Sequence, residues 1–406
     1  MNKKTSKRVL LVSQFFDPEG FKCNEIAYYL AEQGYKVDVI TGIPNYPSGR
    51  YFKGYGIFRK RIEKKNGVTI YRAFEVPRGR NSHKILILLG YVTYALFGSL
   101  WAFFLSLFHK YDCVIAHQPS PVFQVAPGLV AAKMQKIPLY TWVLDLWPSI
   151  ATYYFKPGFV LRRIEKFCTK VYKKSEKVLI SSEGFRDYIK DYAHIPDEKI
   201  VYFPNWSEDI HDWPLLDIPP LPGGFRILMA GNIGEAQIFP SFYDLLLKFK
   251  GNKTFQWIFV GGGASTEVLK QFAKENGMTD TMTFVERHPF EYMPAFYNAA
   301  DALLLTLKNN KRHLVITVPA RFQSYLSAGK PIIGLIGKGT RDLIDEADCG
   351  IASDSNNVNE LYDKMIEAEA HRDEFAQKGE NGLRYFYENF TKTECLNNLL
   401  TIINNE

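Results

Sequence analysis

The residues best suited to chemistry sit where short apolar runs end. His117-Gln118-Pro119-Ser120-Pro121 follows the run from Cys113 to Ala116, and Asp145-Leu146-Trp147-Pro148 follows the run from Leu139 to Val143. An imidazole or a carboxylate just past a parallel strand is placed to orient or polarise a hydroxyl, and either is equally usable as a satisfied structural group. Further on, Ala230-Gly-Asn-Ile-Gly234 and Val260-Gly-Gly-Gly263 each close an apolar run. Small residues there let backbone amides approach phosphate oxygens, although tight turns also select Gly. The stretch Thr317 to Ile333 puts Pro319 near a helix start, Arg321 in its first turn and Gly329-Lys330-Pro331 before the next strand. A guanidinium at such a position suits a diphosphate. In the N-terminal half, Gln14 to Glu25 is a loop with Gly20 entering a helix, where free amides favour an anion or a sugar oxygen. It lacks the three glycines of a dinucleotide fingerprint, and Ile40 is followed by Thr41-Gly42 instead of an acid, which counts against a dehydrogenase. No spacing of His, Cys, Asp or Glu resembles a metal site.

These groups need strands to hold them. Arg8 to Ser13 and Tyr35 to Ile40 read as strands, with a helical pattern from Asn24 to Gly34 between them, a βαβ unit that implies a parallel sheet. Val68 to Arg72, Cys113 to Ala116, Leu139 to Val143 and Lys177 to Ile180 extend the series. Residues 205–224 contain four prolines and no period, as a linker would. A second series follows: Arg226 to Ala230, Gln256 to Val260, Thr281 to Val285, Ala302 to Thr306 and Pro331 to Ile336. The expected fold is α/β, with two doubly wound domains in tandem and ligands at the carboxyl ends of the strands. A last helical stretch, Gly379 to Asn405, could pack on either.

A length of 406 residues agrees with two domains, and 46% hydrophobic against 23% charged residues excludes a disordered chain. Five scattered cysteines suit reduced thiols, and the apolar stretch after the basic N-terminus is shorter than a signal-peptide core, so export is not expected. The net charge of +7 is unevenly divided. Up to Ile210 there are about 31 Lys plus Arg against about 18 Asp plus Glu, and beyond it about 19 against about 25. A uniform nucleic-acid binder would not segregate charge so, whereas a protein resting one half on anionic lipid would. The same half holds Ile85 to Phe108, without a charged side chain. It is long enough to span a bilayer, but Tyr111 to Ala116 at once resumes the sheet. A helix or helical hairpin lying in the interface is preferred over a buried core helix or a span, with the basic residues around Arg72 to Lys84 facing headgroups.

Together, the Gly20 loop, Thr41-Gly-Ile-Pro-Asn-Tyr-Pro47, Trp142-Val-Leu-Asp-Leu-Trp-Pro148, Pro204-Asn205, Ala230-Gly-Asn-Ile-Gly234 and Pro319-Ala-Arg-Phe-Gln-Ser-Tyr-Leu-Ser-Ala-Gly-Lys-Pro331 resemble the retaining glycosyltransferases of family 4 over essentially the whole chain. The resemblance implies a GT-B fold, two Rossmann-like domains facing across a cleft. It divides the chain into an acceptor-binding domain, 1–204, with a membrane-associating segment at 85–108; a linker, 205–224; a nucleotide-sugar domain, 225–384; and a helix, 385–406, crossing back. Within the family the chain looks most like bacterial O-antigen and capsule enzymes that transfer N-acetyl-L-fucosamine or a related sugar to a polyprenyl-diphosphate-linked acceptor.

By that resemblance the nucleobase lies by Glu286, Arg287 and His288, and the ribose and phosphates lie near Arg321 and Ser324. The diphosphate rests on the Gly231, Asn232 and Gly234 loop with Gln237, and Gly20 and Asn45 belong to the acceptor side. Asn232 and Gln237 stand where the family has an Arg and a Lys, and Ile316 and Ser324 where it has paired glutamates, so Arg321 carries the diphosphate neutralisation. The reading is a metal-independent, cofactor-free, retaining transferase with a nucleoside-diphosphate sugar, UDP-linked, as substrate. Asp145 and His117 orient the acceptor hydroxyl, and the protein sits peripherally or monotopically on the cytoplasmic face of the inner membrane. A non-catalytic, membrane-docked sugar- or nucleotide-binding scaffold is the alternative.

Overall fold

The computed structural model describes residues 7–79 and 84–404. The chain divides into two compact units, one made of the segment up to Ser181 with Phe185–Phe203 and the chain from Asn398, the other of Ser182–Gly184 and Pro204–Asn397.

In the first unit the strands are β1 (Arg8–Val12), β2 (Lys36–Gly42), β3 (Ile62–Lys65), β4 (Val68–Ala73), β5 (Cys113–Gln118), β6 (Leu139–Val143), β7 (Lys177–Ile180) and β8 (Ile200–Tyr202). They form one eight-stranded sheet in the order β3-β4-β2-β1-β5-β6-β7-β8, parallel except for the β3–β4 hairpin. Val9 of β1 is in register with Val37 on one side and Cys113 on the other, and Val9, Leu10, Leu11 and Val12 are wholly buried. A strand covered on both faces has no use for alternation, which is why β1 reads as an unbroken apolar run. The helices are α1 (Lys22–Glu32), α2 (Lys84–Phe108), α3 (Ala126–Gln135), α4 (Ala151–Tyr154), α5 (Phe159–Lys174) and α6 (Phe185–Ala193). Strand order reverses after β4, so right-handed crossovers put α1 on one face and α2, α3, α5 and α6 on the other.

Segment 85–108 is one continuous helix and not a hairpin. Its inner face, Gly90, Tyr94, Gly98, Ala102 and Leu105, is buried, and α2 packs on α3, β2 and β4. A Cβ on Gly98 would lie 2.8 Å from Pro127 Cγ, and one on Gly90 2.7 Å from the Val76 carbonyl oxygen, so these glycines set how closely the helix approaches. Ile85, Leu88, Leu89, Val92, Leu96, Leu100, Phe103, Phe104, Leu107 and Phe108 are exposed along the outer face. The helix is long and apolar enough to cross a membrane, yet one face of it is seated on α3, β2 and β4 while the other is left uncovered.

The expectation about its basic surroundings is corrected. Arg72 is fully buried, donating to Glu63 Oε2 at 3.0 Å and to the Asp17 carbonyl at 2.7 Å, and Arg78 lies over the rings of Phe15, Tyr46 and Tyr91. Both are engaged within the unit; Arg80, His83 and the Lys84 side chain lie outside the described residues. The aromatic side chains of α2 also divide. Tyr94 is buried with its hydroxyl donating to the Ile40 carbonyl, and Trp101 donates to the Arg72 carbonyl, whereas Phe103, Phe104 and Phe108 are exposed.

The second unit has β9 (Phe225–Asn232), β10 (Phe255–Gly262), β11 (Met282–Val285), β12 (Ala302–Thr306), β13 (Ile332–Leu335) and β14 (Gly350–Ser353) in one parallel six-stranded sheet, order β11-β10-β9-β12-β13-β14. Helices α7 (Pro240–Lys248), α8 (Thr266–Glu275), α9 (Met293–Asn298), α10 (Arg312–Ile316), α11 (Arg321–Leu326), α12 (Lys338–Glu346), α13 (Val358–Ala370) and α14 (Arg372–Asn389) complete it. Two buried clusters line the two sheet faces, one with Phe242, Leu269 and Leu361, the other with Phe296, Phe322 and Ile344. Residues 205–224 hold no helix or named strand, as their prolines predict, but they are no free tether: Ile210 is in the second cluster, with Trp213, Ile218 and Leu221 packed against it. The expected single C-terminal helix breaks at Phe390, and α15 (Lys392–Asn404) ends in the first unit, where Asn404 accepts hydrogen bonds from Lys7 and Tyr35.

Candidate functional site

In the second unit, Gly231 and Asn232 end β9 at the switch point between β9 and β12, where doubly wound sheets bind ligands. Gly231 has φ +104°, a left-handed value that favours glycine, and a Cβ on it would lie 3.3 Å from Arg321 Nε and Nη2. A Cβ on Gly261 would stand 2.2 Å from the Gly231 carbonyl oxygen, so paired glycines let β9 and β10 stay in register to their ends. Arg321 Nη2 donates to the Asn232 carbonyl, and Asn232 Nδ2 donates to Gln237 Oε1 at 3.4 Å. A Cβ on Gly234 would meet Asn232 Nδ2 at 2.7 Å. The residues expected to hold a diphosphate thus come together. Arg321 Nη1 is enclosed without a hydrogen-bond partner, a donor in want of an acceptor.

The expected helix start at Arg321 is real but short: α11 ends at Leu326, so the guanidinium and the loop amides, more than a long helix dipole, supply the positive potential. Ser324 bonds the Tyr297 side chain, and Tyr325 Oη accepts from Ala230 N–H at 3.1 Å, tying α11 to β9. Glu286 and Arg287 are exposed beyond β11. His288 is half-buried, its Nδ1 is 2.8 Å from the Glu286 carbonyl oxygen, and its ring meets Tyr292 and Phe296 edge-on. They share the carboxyl edge of the sheet with the diphosphate loop, on the outermost strand.

In the first unit, Asp145 is half-buried, its Oδ2 accepting from Ser120 N–H at 2.7 Å and its carbonyl from Gln118 Nε2 at 3.0 Å. His117 corrects its expectation. It is 1% exposed, between Phe21 and Trp142, with Nδ1 3.0 Å from Ser13 Oγ. The single hydroxyl proton of Ser13 goes to the Phe15 carbonyl, so Nδ1 is the donor and the imidazole is neutral; burial pushes its pKa down to about 3. From there its bond to Ser13 ties the end of β5 to the end of β1. Gly20 is exposed, and a Cβ on it would meet nothing within 4 Å, so no contact in the protein demands glycine there.

Asn45 is buried in a cluster the sequence reading missed. Its Nδ2 donates to Glu75 Oε1 and to the Ile43 carbonyl, while its N–H and that of Tyr46 donate to Glu19 Oε1 at 2.9 and 2.6 Å. Gln14 Nε2 donates to Glu75 Oε2 at 2.8 Å. Burial pushes Glu19 up to about 7 against the pull of the Tyr46 and Asn45 amides. Burial, then the charge of Glu19, raises Glu75 well above the usual range. The available signal was a carboxylate just past an apolar run, the reasoning that selected Asp145: Glu75 stands two residues after β4. Among the described residues no group of three or more His, Cys, Asp or Glu could hold a metal.

Residues 22–206 match the family described as "Glycosyl transferase 4-like domain", and residues 222–384 match "Glycosyl transferases group 1". The chain carries two glycosyltransferase domains in tandem. It is 24% identical over 343 residues to WcaI of Escherichia coli (strain K12), named as a colanic acid biosynthesis glycosyl transferase, covering 79% of this chain and 81% of that one. Among solved structures, Anabaena Alr3699/HepE in complex with UDP superposes with a TM-score of 0.71 at 13% identity, covering 99% of this chain and 100% of that chain. The lipopolysaccharide outer core galactosyltransferase WaaB gives 0.63 at 14%, covering 98% and 99%. Both establish the two-domain Rossmann-like GT-B fold. In this glycosyltransferase the second match contains the whole six-stranded sheet, and the first contains every strand of the eight-stranded sheet except β1.

Proposed function

We propose that this glycosyltransferase moves an N-acetylated deoxy-amino sugar such as L-fucosamine from its UDP-linked form to a polyprenyl-diphosphate-linked sugar. The setting is O-antigen or capsular polysaccharide assembly at the cytoplasmic face of the inner membrane. The observation that carries the reading is Arg321, whose Nη1 lacks a partner while its neighbour Nη2 is held over the Gly231–Gly234 loop. A guanidinium so placed suits a departing diphosphate. The UDP bound by HepE and the polysaccharide roles named for WcaI and WaaB support the substrate class.

The acceptor hydroxyl attacks the anomeric carbon as the bond to the diphosphate oxygen breaks. The hydroxyl proton passes to that departing oxygen on the same face, and the anomeric configuration is retained. Arg321 and the loop amides stabilise the charge that develops on the diphosphate; no metal or cofactor is used. Asp145 orients the hydroxyl, and His117, through Ser13 and β5, positions the edge from which Asp145 extends. The outer stripe of α2 rests in the anionic inner-membrane surface, bringing the lipid-linked acceptor within reach. Incubating purified protein with candidate nucleotide sugars and a synthetic polyprenyl-diphosphate sugar tests this. Nucleoside diphosphate is released only when both are present, and NMR of the product shows the donor's anomeric configuration. Binding of the nucleotide sugar without turnover would establish the scaffold instead.

A further inference from the structure

The helical face of the first unit that carries α2 also carries a groove of about 720 Å³ between α2, α3 and α5. Half-buried Leu129, Val130 and Phe167 line it with Ser99 of α2. Lys133 and Lys136 at the end of α3, and Lys170 and Lys174 at the end of α5, stand around this apolar floor. All four are exposed, and none pairs with a carboxylate among the described residues. Cations at helix C-termini are locally favourable, which accounts for each lysine singly. It does not account for four like charges converging on an apolar trough, since like pairs one turn apart repel. An anion with an apolar tail satisfies both halves of the site. The buried Arg72 and stacked Arg78 are engaged elsewhere, so this groove is the cationic partner that the exposed stripe of α2 lacks.

We propose that the groove binds one acidic glycerophospholipid drawn from the bilayer, its phosphate against Lys133, Lys136, Lys170 and Lys174 and an acyl chain along Leu129, Val130 and Phe167. This rests on the membrane-docked reading above and adds a specific lipid site to it. The ligand is not the reacting acceptor, because Lys136 leads into the amino end of β6 and Lys174 into that of β7. Asp145 follows the carboxyl end of β6, about 16 Å away at roughly 3.3 Å per residue. A diphosphate gripped by the lysines would hold its sugar at the wrong edge of the sheet.

Flotation of the full-length protein with phosphatidylcholine vesicles, with and without phosphatidylglycerol, tests the site. Wild type binds the acidic vesicles more tightly than the neutral ones. Combined Lys133→Gln, Lys136→Gln, Lys170→Gln and Lys174→Gln removes that preference, a loss of roughly tenfold or more, while leaving binding to neutral vesicles intact. A charge-matched control, Lys36→Gln, Lys53→Gln, Lys64→Gln and Lys250→Gln, keeps most of it. Leu129→Trp, which fills the groove and spares every lysine, also weakens the preference. Equal losses in the groove and control variants would reduce the effect to diffuse attraction and overturn the site. Displacement of phosphatidylglycerol by short-chain polyprenyl diphosphate would hand the groove to the acceptor and overturn it as well. If wild type bound both vesicles equally, only this proposal would fall; if it bound neither, the membrane-docked reading would fall with it.

Discussion

In the proposed donor site the positive charge falls to Arg321, because Asn232 and Gln237 beside it are neutral. Arg321→Ala is therefore expected to lower turnover by about 10²–10³-fold with an unchanged circular dichroism spectrum. Arg321→Lys should restore only part, since an ammonium cannot serve Asn232 and a phosphate through one planar fork. Near-normal activity of the alanine variant would remove Arg321 from the mechanism. The Glu19–Glu75 pair makes a separate prediction. The Glu19 carboxyl, about 7 in the fold against 4.5 for the free group, holds a proton that the unfolded chain releases. Stability from this group is fully present below about 4.5 and lost as pH rises through about 7. Glu19→Gln keeps an oxygen to accept from Asn45 and Tyr46, so it should lessen the fall in melting temperature across that window. Adding Glu75→Gln should nearly flatten it, as Gln14 Oε1, buried without a partner, can accept from the new amide once the Gln14 amide turns over. Parallel melting curves for wild type and double variant would exclude the pair as the source.

α2 has two unlike faces. Its inner face is cut to fit by Gly90 and Gly98, and its outer face is as apolar as a core and as exposed as a surface. Gly98→Val should cost about 1–3 kcal/mol by driving α2 away from Pro127, measured by denaturant unfolding. Leu96→Ser, on the outer face, should change stability by no more than about 0.5 kcal/mol. If the two variants cost the same, the helix is not seated as described. The uncharged run made the helix legible in sequence, but its period did not show which face was covered. With nearly every side chain apolar, no polar face marks the outside.

For the whole molecule, the division of charge finds a structural counterpart in the first unit. There the four lysines of the groove and the outer stripe of α2 occupy one side of the sheet. Salt washing alone should leave the protein with the membrane fraction, whereas combined Leu96→Ser, Leu100→Ser, Phe103→Ser and Leu107→Ser should release it without altering UDP affinity. Release of wild type by salt alone would mean attachment by charge only. The two sheets were readable because strands buried on both faces must be continuous apolar runs, and Leu139 to Val143 and Ala302 to Thr306 match β6 and β12 residue for residue. β3, with its exposed Ile62 and adjacent Lys64 and Lys65, escaped because an edge hairpin has no such run. The loop from Gly231 to Gln237 and Arg321 were likewise legible as candidates, because small and charged residues at strand ends are local in sequence. The burial of His117 and Arg72, the Glu19–Glu75 pair and the four lysines around one groove were not. Each depends on residues from different crossovers arriving at the same place, and only packing of the folded chain brings them there.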